Sequence, residues 1–392
     1  MGSRVTRNFE APRGSRKFRS PRFRKHPSGF QGGPTLFTKR MTALMVLVAM
    51  LVAGAAFAGD MNYTIYGKMH TSVNYLSNGD DGQLGLTSNT SRFGIRGSTH
   101  MYNNTDMIWQ FENHLNIAQK DVTTLATRNS FIGMSGEWGT ALFGIHDTPF
   151  LTVGRKATFF YDSIGDFRNT TMGWDKRLQD VAVYLSPDFD GFSFVGAYMF
   201  DQAEMGAEEA ATAVSASAQY QTDALYLAGA VENWSKGVTG MIADPTDPNA
   251  QIQGESQTGL RFVAKYDFGQ FAMAGLFQTI SNHMGYDGVS AQTLGLEAKY
   301  KMTADYCVKG SFYMADPNTD ADDNEFKQLA LGVDRKTGEN SMVYMQYATV
   351  MNGDASQKGL CKTPNGFGGN VEPHDVGESP MGISVGWVTT WK

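Results

Sequence analysis

The chain has 392 residues, with 33 basic against 39 acidic side chains and a formal net charge of −6 at pH 7. Eleven basic residues and one acidic residue lie before position 59, so the remainder holds 22 basic against 38 acidic residues and a charge near −16. That balance argues against a nucleic-acid partner, whose phosphates require a basic surface. Beyond residue 58 no apolar run approaches the roughly 20 residues of a transmembrane helix, so any membrane span must be made from strands.

In chain order, Met1 to Thr38 is a basic stretch containing Pro, Gly and Ser, with Arg4, Arg7, Arg13, Arg16, Lys17, Arg19, Arg22, Arg24 and Lys25. Such an arm suggests nucleic-acid binding in isolation. Here it directly precedes a secretory signal and would be removed with it. The signal begins at Lys39-Arg40-Met41, has an apolar centre too short to span a bilayer, and ends in Ala56-Phe57-Ala58. The sequence predicts a basic extension over 1–40 outside the mature protein, a signal peptide over 41–58, and one mature domain over 59–392.

The first strand of that domain begins at Asn62. Tyr63, Ile65, Met69, Val73 and Tyr75 share one face, while Asn62, Lys68, His70 and Asn74 share the other. The two tyrosines are twelve positions apart, roughly 40 Å along a strand and about 28 Å across a bilayer at a tilt of about 45°. That spacing fits two interfacial aromatic girdles.

Thereafter long and short connections alternate. Long polar stretches fall at 77–90, 116–126, 147–176, 201–213, 234–257, 280–290, 315–326 and 350–380. Short turns fall at Met101 to Thr105, Gly136 to Gly139, Ser186 to Gly191, Gln221 to Asp223, Asp267 to Gln270, Lys301 to Asp305 and Arg335 to Asn340. Fifteen connections predict sixteen antiparallel strands, which fit the length of the mature chain. Later strands repeat the alternation: Phe192, Phe194, Gly196, Tyr198 and Phe200 share a face, and Leu260, Phe262, Ala264 and Tyr266 oppose Arg261, Val263 and Lys265. Leu294, Leu296, Ala298 and Tyr300 oppose Gly295, Glu297 and Lys299, and Ile383, Val385, Trp387 and Trp391 form the last outward row. Charges on the inner face require a watery lumen, and closure removes two strand edges that hydrocarbon would not tolerate. The two cysteines, Cys307 and Cys361, fall at opposite ends of this arrangement and are expected to stay unpaired.

Four stretches resemble the general porins of Gram-negative outer membranes. They are Tyr66-Gly67-Lys68; Ser91-Arg92-Phe93-Gly94-Ile95-Arg96-Gly97-Ser98 with Trp109-Gln110-Phe111-Glu112; the run from Arg128 through Trp138-Gly139-Thr140 to Asp147-Thr148-Pro149; and Tyr184 to Phe192. Beyond residue 200 the likeness is mostly pattern, apart from Leu329-Ala330-Leu331-Gly332-Val333-Asp334. The resemblance implies an all-β, transmembrane, antiparallel 16-stranded barrel with an inward-folded third loop, here 147–176. It also implies a homotrimer, with outward Gly67, Thr71, Gly97 and Thr389 near a trimer contact.

In that family loop carboxylates face wall arginines across the constriction. Here Arg92, Arg96 and Arg128 take the inner parity, Arg177 starts the next strand, and Asp162 and Asp166 are the matching loop acids. Two features depart from the pattern: Ile145 stands where the family usually has an arginine, and the chain ends at Trp391-Lys392 where porins commonly end in phenylalanine. The expected function is passive diffusion of small hydrophilic solutes and ions, in contact with the bilayer and lipopolysaccharide. Acidic loops bearing Asp80, Asp81, Glu208, Glu209, Asp320, Asp322 and Asp323 predict a weak cation preference, which the arginines oppose. A substrate-selective channel and a non-conducting surface barrel are the alternatives.

Other chemistries find little support. Ser130, His146 and Asp147 are close in sequence, yet Ser130 takes the lumenal parity and no Gly-x-Ser-x-Gly turn surrounds it. His70, His100, His114 and His146 lack paired metal-ligand spacing, and no phosphate-binding Gly-Lys-Ser/Thr loop occurs. No catalytic residue, metal or cofactor is expected.

Overall fold

Alternation of greasy and polar side chains along each strand dictates a wall with two faces, and the chain closes that wall on itself. The structure, a computed structural model, describes residues 61–118, 128–247, 249–361 and 370–392. The extension and signal segment lie outside the described residues.

Sixteen antiparallel staves form the barrel. In order they are β1 (Met61–Ser77), β2 (Gly82–Ser88 continued by Arg92–His100), β3 (Asp106–His114), β4 (Ser130–Gly136), β5 (Gly139–Asp147), β6 (Arg177–Leu185), β7 (Phe192–Met199) and β8 (Ala213–Gln221). The second half comprises β9 (Leu225–Trp234), β10 (Gln257–Asp267), β11 (Phe271–Ser281), β12 (Ser290–Lys301), β13 (Tyr306–Asp316), β14 (Phe326–Gly338), β15 (Ser341–Asn352) and β16 (Met381–Trp391). Each pairs with its neighbour in sequence, and β16 pairs with β1 from Gly67–Trp391 to Ser77–Met381, which closes the ring. Two small hairpins, Met241–Ala243 with Gln251–Gln253 and Leu360–Cys361 with Asn370–Val371, decorate long loops.

The outward rows are as the alternation required. Tyr63 and Tyr75 are 65 % and 44 % exposed at the two ends of β1, while His70, Ser72 and Asn74 between them on the inner face are buried. Outward Gly67 and Gly97 lie beneath the rings of Trp391 and Trp109. Asn103 and Asn104 adopt left-handed φ of 53° in the tight turn between β2 and β3, a conformation asparagine tolerates better than most residues.

The stretch 77–90 is not a long loop. After a four-residue turn, Gly82–Ser88 pairs with Thr71–Ser77 and extends β2 beyond the expected start at Ser91. Leu84 and Leu86 point outward, 69 % and 49 % exposed, so the segment carries a short alternation masked by its glycines. The stave is broken at Asn89 to Ser91, where Thr90 has φ 57° and the Asn89 amide donates to the Ser72 hydroxyl at 2.8 Å.

Cys307 on β13 is free, its thiol 3.7 Å from an Asp334 carboxylate oxygen. The Cys361 side chain lies outside the described residues.

The inner face is less polar than its charges suggest. Ala228, Ala230, Val263, Ala274, Leu276 and Ile280 form one buried bed, and Ala330, Ala348 and Val350 form another. Both beds receive apolar side chains from the segment between β5 and β6. A third patch, Leu142, Val181, Val183, Ala197 and Met199, lies on β5 to β7.

Candidate pore constriction

The 148–176 segment builds itself from local signals. Thr148 caps helix α1 (Pro149–Ala157), accepting the Leu151 amide at 3.2 Å, with Pro149 in the first turn. Arg155 and Lys156 occupy the last turn, where cations suit the helix dipole. After an irregular stretch, Asp166 caps a single turn over Phe167–Asn169 and accepts the Arg168 amide at 2.9 Å. Phe150, Val153, Ala157, Phe167 and Trp174 bury themselves in the β9 to β11 bed, whereas Phe160 and Ile164 enter the β14 to β15 bed. Trp174 also stacks on Trp234 at 4.3 Å between ring centres.

Polar contacts fix the same segment to inner-face residues around much of the wall, among them residues of β1, β10, β12, β13 and β14. The Asp162 carboxylate lies 2.8 Å from Lys68 of β1, and Asp175 lies 2.6 Å from Arg261 of β10. Glu297 of β12 accepts the Phe159 amide at 2.5 Å, the Thr158 hydroxyl at 2.7 Å and the Tyr313 hydroxyl at 2.6 Å. Lys309 of β13 donates to the Phe159 carbonyl at 2.9 Å, and the Asn169 amide donates to Gln328 of β14 at 2.7 Å.

The six residues singled out from the sequence do not meet as one opposed set. Asp162 pairs with Lys68 and, at 2.9 Å, with Arg168; Asp166 takes Arg168 at 2.6 Å and is fully buried. Arg128 pairs with Glu112 at 2.5 Å, Arg92 lies 3.8 Å from the same carboxylate, and Arg177 pairs with Asp147 at 2.7 Å. Arg96 sits over the Tyr66 ring at 5.3 Å. Among the described residues no ion pair joins either loop acid to Arg92, Arg96, Arg128 or Arg177. The reason is local: a buried carboxylate needs a counter-charge at contact distance, and Arg168 supplies one two positions from Asp166.

Beside the loop is a cavity of about 690 Å³ lined by Arg128, Tyr161, Asp162, Arg168, Lys176 and Arg177, with Ile145 at the position the family usually fills with arginine. Arg155 approaches Asp147 from the helix at 2.6 Å, so this one carboxylate serves two guanidinium groups.

Sequence reading missed the tethering roles of Lys68, Arg155, Arg168, Arg261, Asp175 and Glu297, treating those it noticed as solvation of a wet interior. The usable signal was alanine on the inner parity of β9, β11, β14 and β15, which marks where another segment must pack. Ser130, His146 and Asp147 do not assemble as a hydrolytic set. Ser130 shares its parity with outward Ile132 and its hydroxyl accepts the Glu112 amide at 3.1 Å, while His146 Nδ1 lies 2.7 Å from the Asp147 carbonyl. In the last long loop His374, Asp375 and Glu378 bring ligand-type atoms within 4.8 Å of one another, a grouping not picked out from the sequence.

A closed strand wall with an oily outer face, charged inner face and a segment tethered across its interior defines a transmembrane β-barrel channel. Residues 43–355 match the family model for the Gram-negative porins, and the chain belongs to that family. It is an outer-membrane channel protein. The chain is 28 % identical to a chitoporin of Vibrio furnissii over 266 residues, 62 % of this chain and 66 % of the relative. It is 23 % identical to outer membrane porin protein 32 of Delftia acidovorans over 369 residues, 88 % of this chain and 99 % of that one. Its fold is similar to the solved anion-selective porin from Comamonas acidovorans, with a TM-score of 0.69 at 22 % identity, covering 85 % of this chain and all of the other.

Proposed function

We propose that the protein is a homotrimeric passive diffusion channel for small hydrophilic solutes and ions, performing no chemistry on them, with the 148–176 segment as its constriction. Arg92, Arg96, Arg128 and Arg177 line the pore on one side; Asp162 and Asp166 serve mainly to hold the loop in place. The bilayer contacts the outward rows, and lipopolysaccharide surrounds the long loops.

One observation carries the charge selectivity: both loop carboxylates are neutralised within the wall and loop, whereas Lys176 and two guanidinium groups sharing Asp147 remain around the cavity. Lys176 and the excess of two guanidinium groups over the single Asp147 carboxylate give the cavity a net positive charge, which favours anions and runs opposite to the weak cation preference read from the loop composition. That the solved relative is described as anion-selective supports the same direction. Planar-bilayer recordings test the reading. Stepwise conductance with an anionic reversal potential in a KCl gradient, and a graded fall across a sugar-size series, are expected. A cationic reversal potential overturns the charge assignment, sharp saturation by one sugar points to a substrate-selective channel, and silence overturns the channel itself.

A further inference from the structure

Three lysines converge beneath the tethered segment, toward the end of the barrel that bears the short turns. Lys265 of β10 and Lys299 of β12 flank β11, where the inner-face residues between them are only Ala272 and Ala274, both buried. The Phe159 ring packs against the cluster that includes Ala274, with Lys265 Nζ 5.1 Å and Lys299 Nζ 5.5 Å from its centre. Lys156, in the last turn of α1, is exposed, and its backbone carbonyl accepts from Lys265 Nζ at 3.3 Å. Its ammonium group lies 5.4 Å from the Tyr226 ring and 2.9 Å from the Gln219 amide oxygen. Lys156 and Lys265 line a pocket of about 320 Å³ together with Tyr226, Gln221, Asp223 and Asp267.

Among the described residues the three ammonium groups have no ion-pair partner, although Asp223 and Asp267 line the same pocket. Neighbouring Lys301 and Lys309 have carboxylate partners, Asp267 at 3.5 Å and Asp334 at 2.9 Å. Among the described residues, Lys156, Lys265 and Lys299 have none within 4.0 Å. The nearby Glu297 carboxylate is held in place by Thr158, Phe159 and Tyr313 and makes no ion pair with the three lysines. Two ammonium groups sharing one ring, with a third alongside, repel each other unless an anion enters between them. A monovalent ion leaves part of that charge uncompensated, so a multivalent one is preferred.

We propose that Lys265 and Lys299, with the Phe159 ring as their common floor and Lys156 alongside over Tyr226, form a binding station for small multivalent oxyanions, of which inorganic phosphate is the probe. The site rests on the channel reading and deepens it: anions drawn through the constriction pause here before leaving by the short-turn mouth.

The experiment measures chloride current through single channels while phosphate is added at constant ionic strength, first on one side and then on the other. Stepwise KCl conductance without phosphate tests the channel reading by itself, and its absence defeats that reading and this one together. With conductance present, phosphate is expected to reduce chloride current saturably, at lower concentration from the short-turn side. Lys265→Gln with Lys299→Gln is expected to raise the half-blocking concentration by about tenfold, the order expected for removing two unit charges about 5 Å from a dianion in a watery dielectric when salt screens over a similar distance. Lys156→Gln, on an exposed helical position, gives a second reading of about threefold should the double variant fail to assemble. A non-saturable phosphate effect, or variants matching the parent within twofold, overturns the proposal while leaving the channel intact.

Discussion

Lys68 on the first stave and Asp162 on the constricting segment, 94 positions later, form a 2.8 Å ion pair that joins the start of the barrel to its interior. Asp162 is buried and shares its other oxygen with Arg168 at 2.9 Å, so the pair belongs to a small network.

Replacing Lys68 with Met removes one of two cationic partners from a buried carboxylate. Full loss of compensation at such a site costs about 3–5 kcal/mol; retention of Arg168 makes about 1–3 kcal/mol the expected destabilisation. Thermal unfolding in detergent is expected at lower temperature, with noisier open-channel current. Unchanged melting and unchanged current noise would show that the network does not hold the segment.

Arg261 and Asp175 form the deeper tether, with the guanidinium also 4.1 Å from the centre of the Phe150 ring. Arg261→Ala strands Asp175 and opens a void below Phe150, an expected loss of about 3–5 kcal/mol. Arg261→Met combined with Asp175→Leu removes both charges and is expected to recover most of it. A double-mutant cycle on unfolding midpoints checks this. Additive losses from the two single changes would mean that the pair is not coupled.

These tethers mark the boundary of what the sequence made legible. The staves were readable because hydrocarbon outside and water inside impose a strict period of two, and all seven short turns fall where Gly, Asn and Asp punctuate that period. The extension of β2 was hidden because Gly82 and Gly85 interrupt a stretch whose outward Leu84 and Leu86 alone carry the pattern. The partners of Asp162 and Asp166 were illegible for another reason. Parity says which face a wall residue occupies, but a loop has no period, so Arg168 beside Asp166 carried no sign that it would turn back upon it. Inner-face Ala274 and Ala330 were the missed clue, since small apolar residues facing a wet lumen have no purpose unless something covers them.

Asp147 offers a charge test, because its carboxylate holds Arg155 at 2.6 Å and Arg177 at 2.7 Å beside the cavity. Asp147→Asn leaves both guanidinium groups uncompensated and is expected to shift the reversal potential further toward anions. Arg177→Gln is expected to shift it the opposite way. The two measurements in one KCl gradient must differ in sign; equal signs would place this cluster outside the ion path.

Glycine at inner positions supplies a final test through the rings that cover them. A Cβ at Gly295 would fall on the Tyr313 ring, and one at Gly386 would fall on the Tyr344 ring. The two tyrosines differ in what they hold. Tyr313 donates to Glu297, which in turn accepts Thr158 and Phe159 of the constricting segment, whereas the Tyr344 hydroxyl lies 2.9 Å from His70 Nε2 in the wall. Overpacking of this kind costs about 1–3 kcal/mol, so Gly295→Ala and Gly386→Ala are expected to lower the unfolding temperature similarly. Only Gly295→Ala is expected to change single-channel conductance, because only its ring supports the segment that narrows the pore. Equal conductance changes in both variants, or none in either, would separate the Glu297 contacts from control of the aperture.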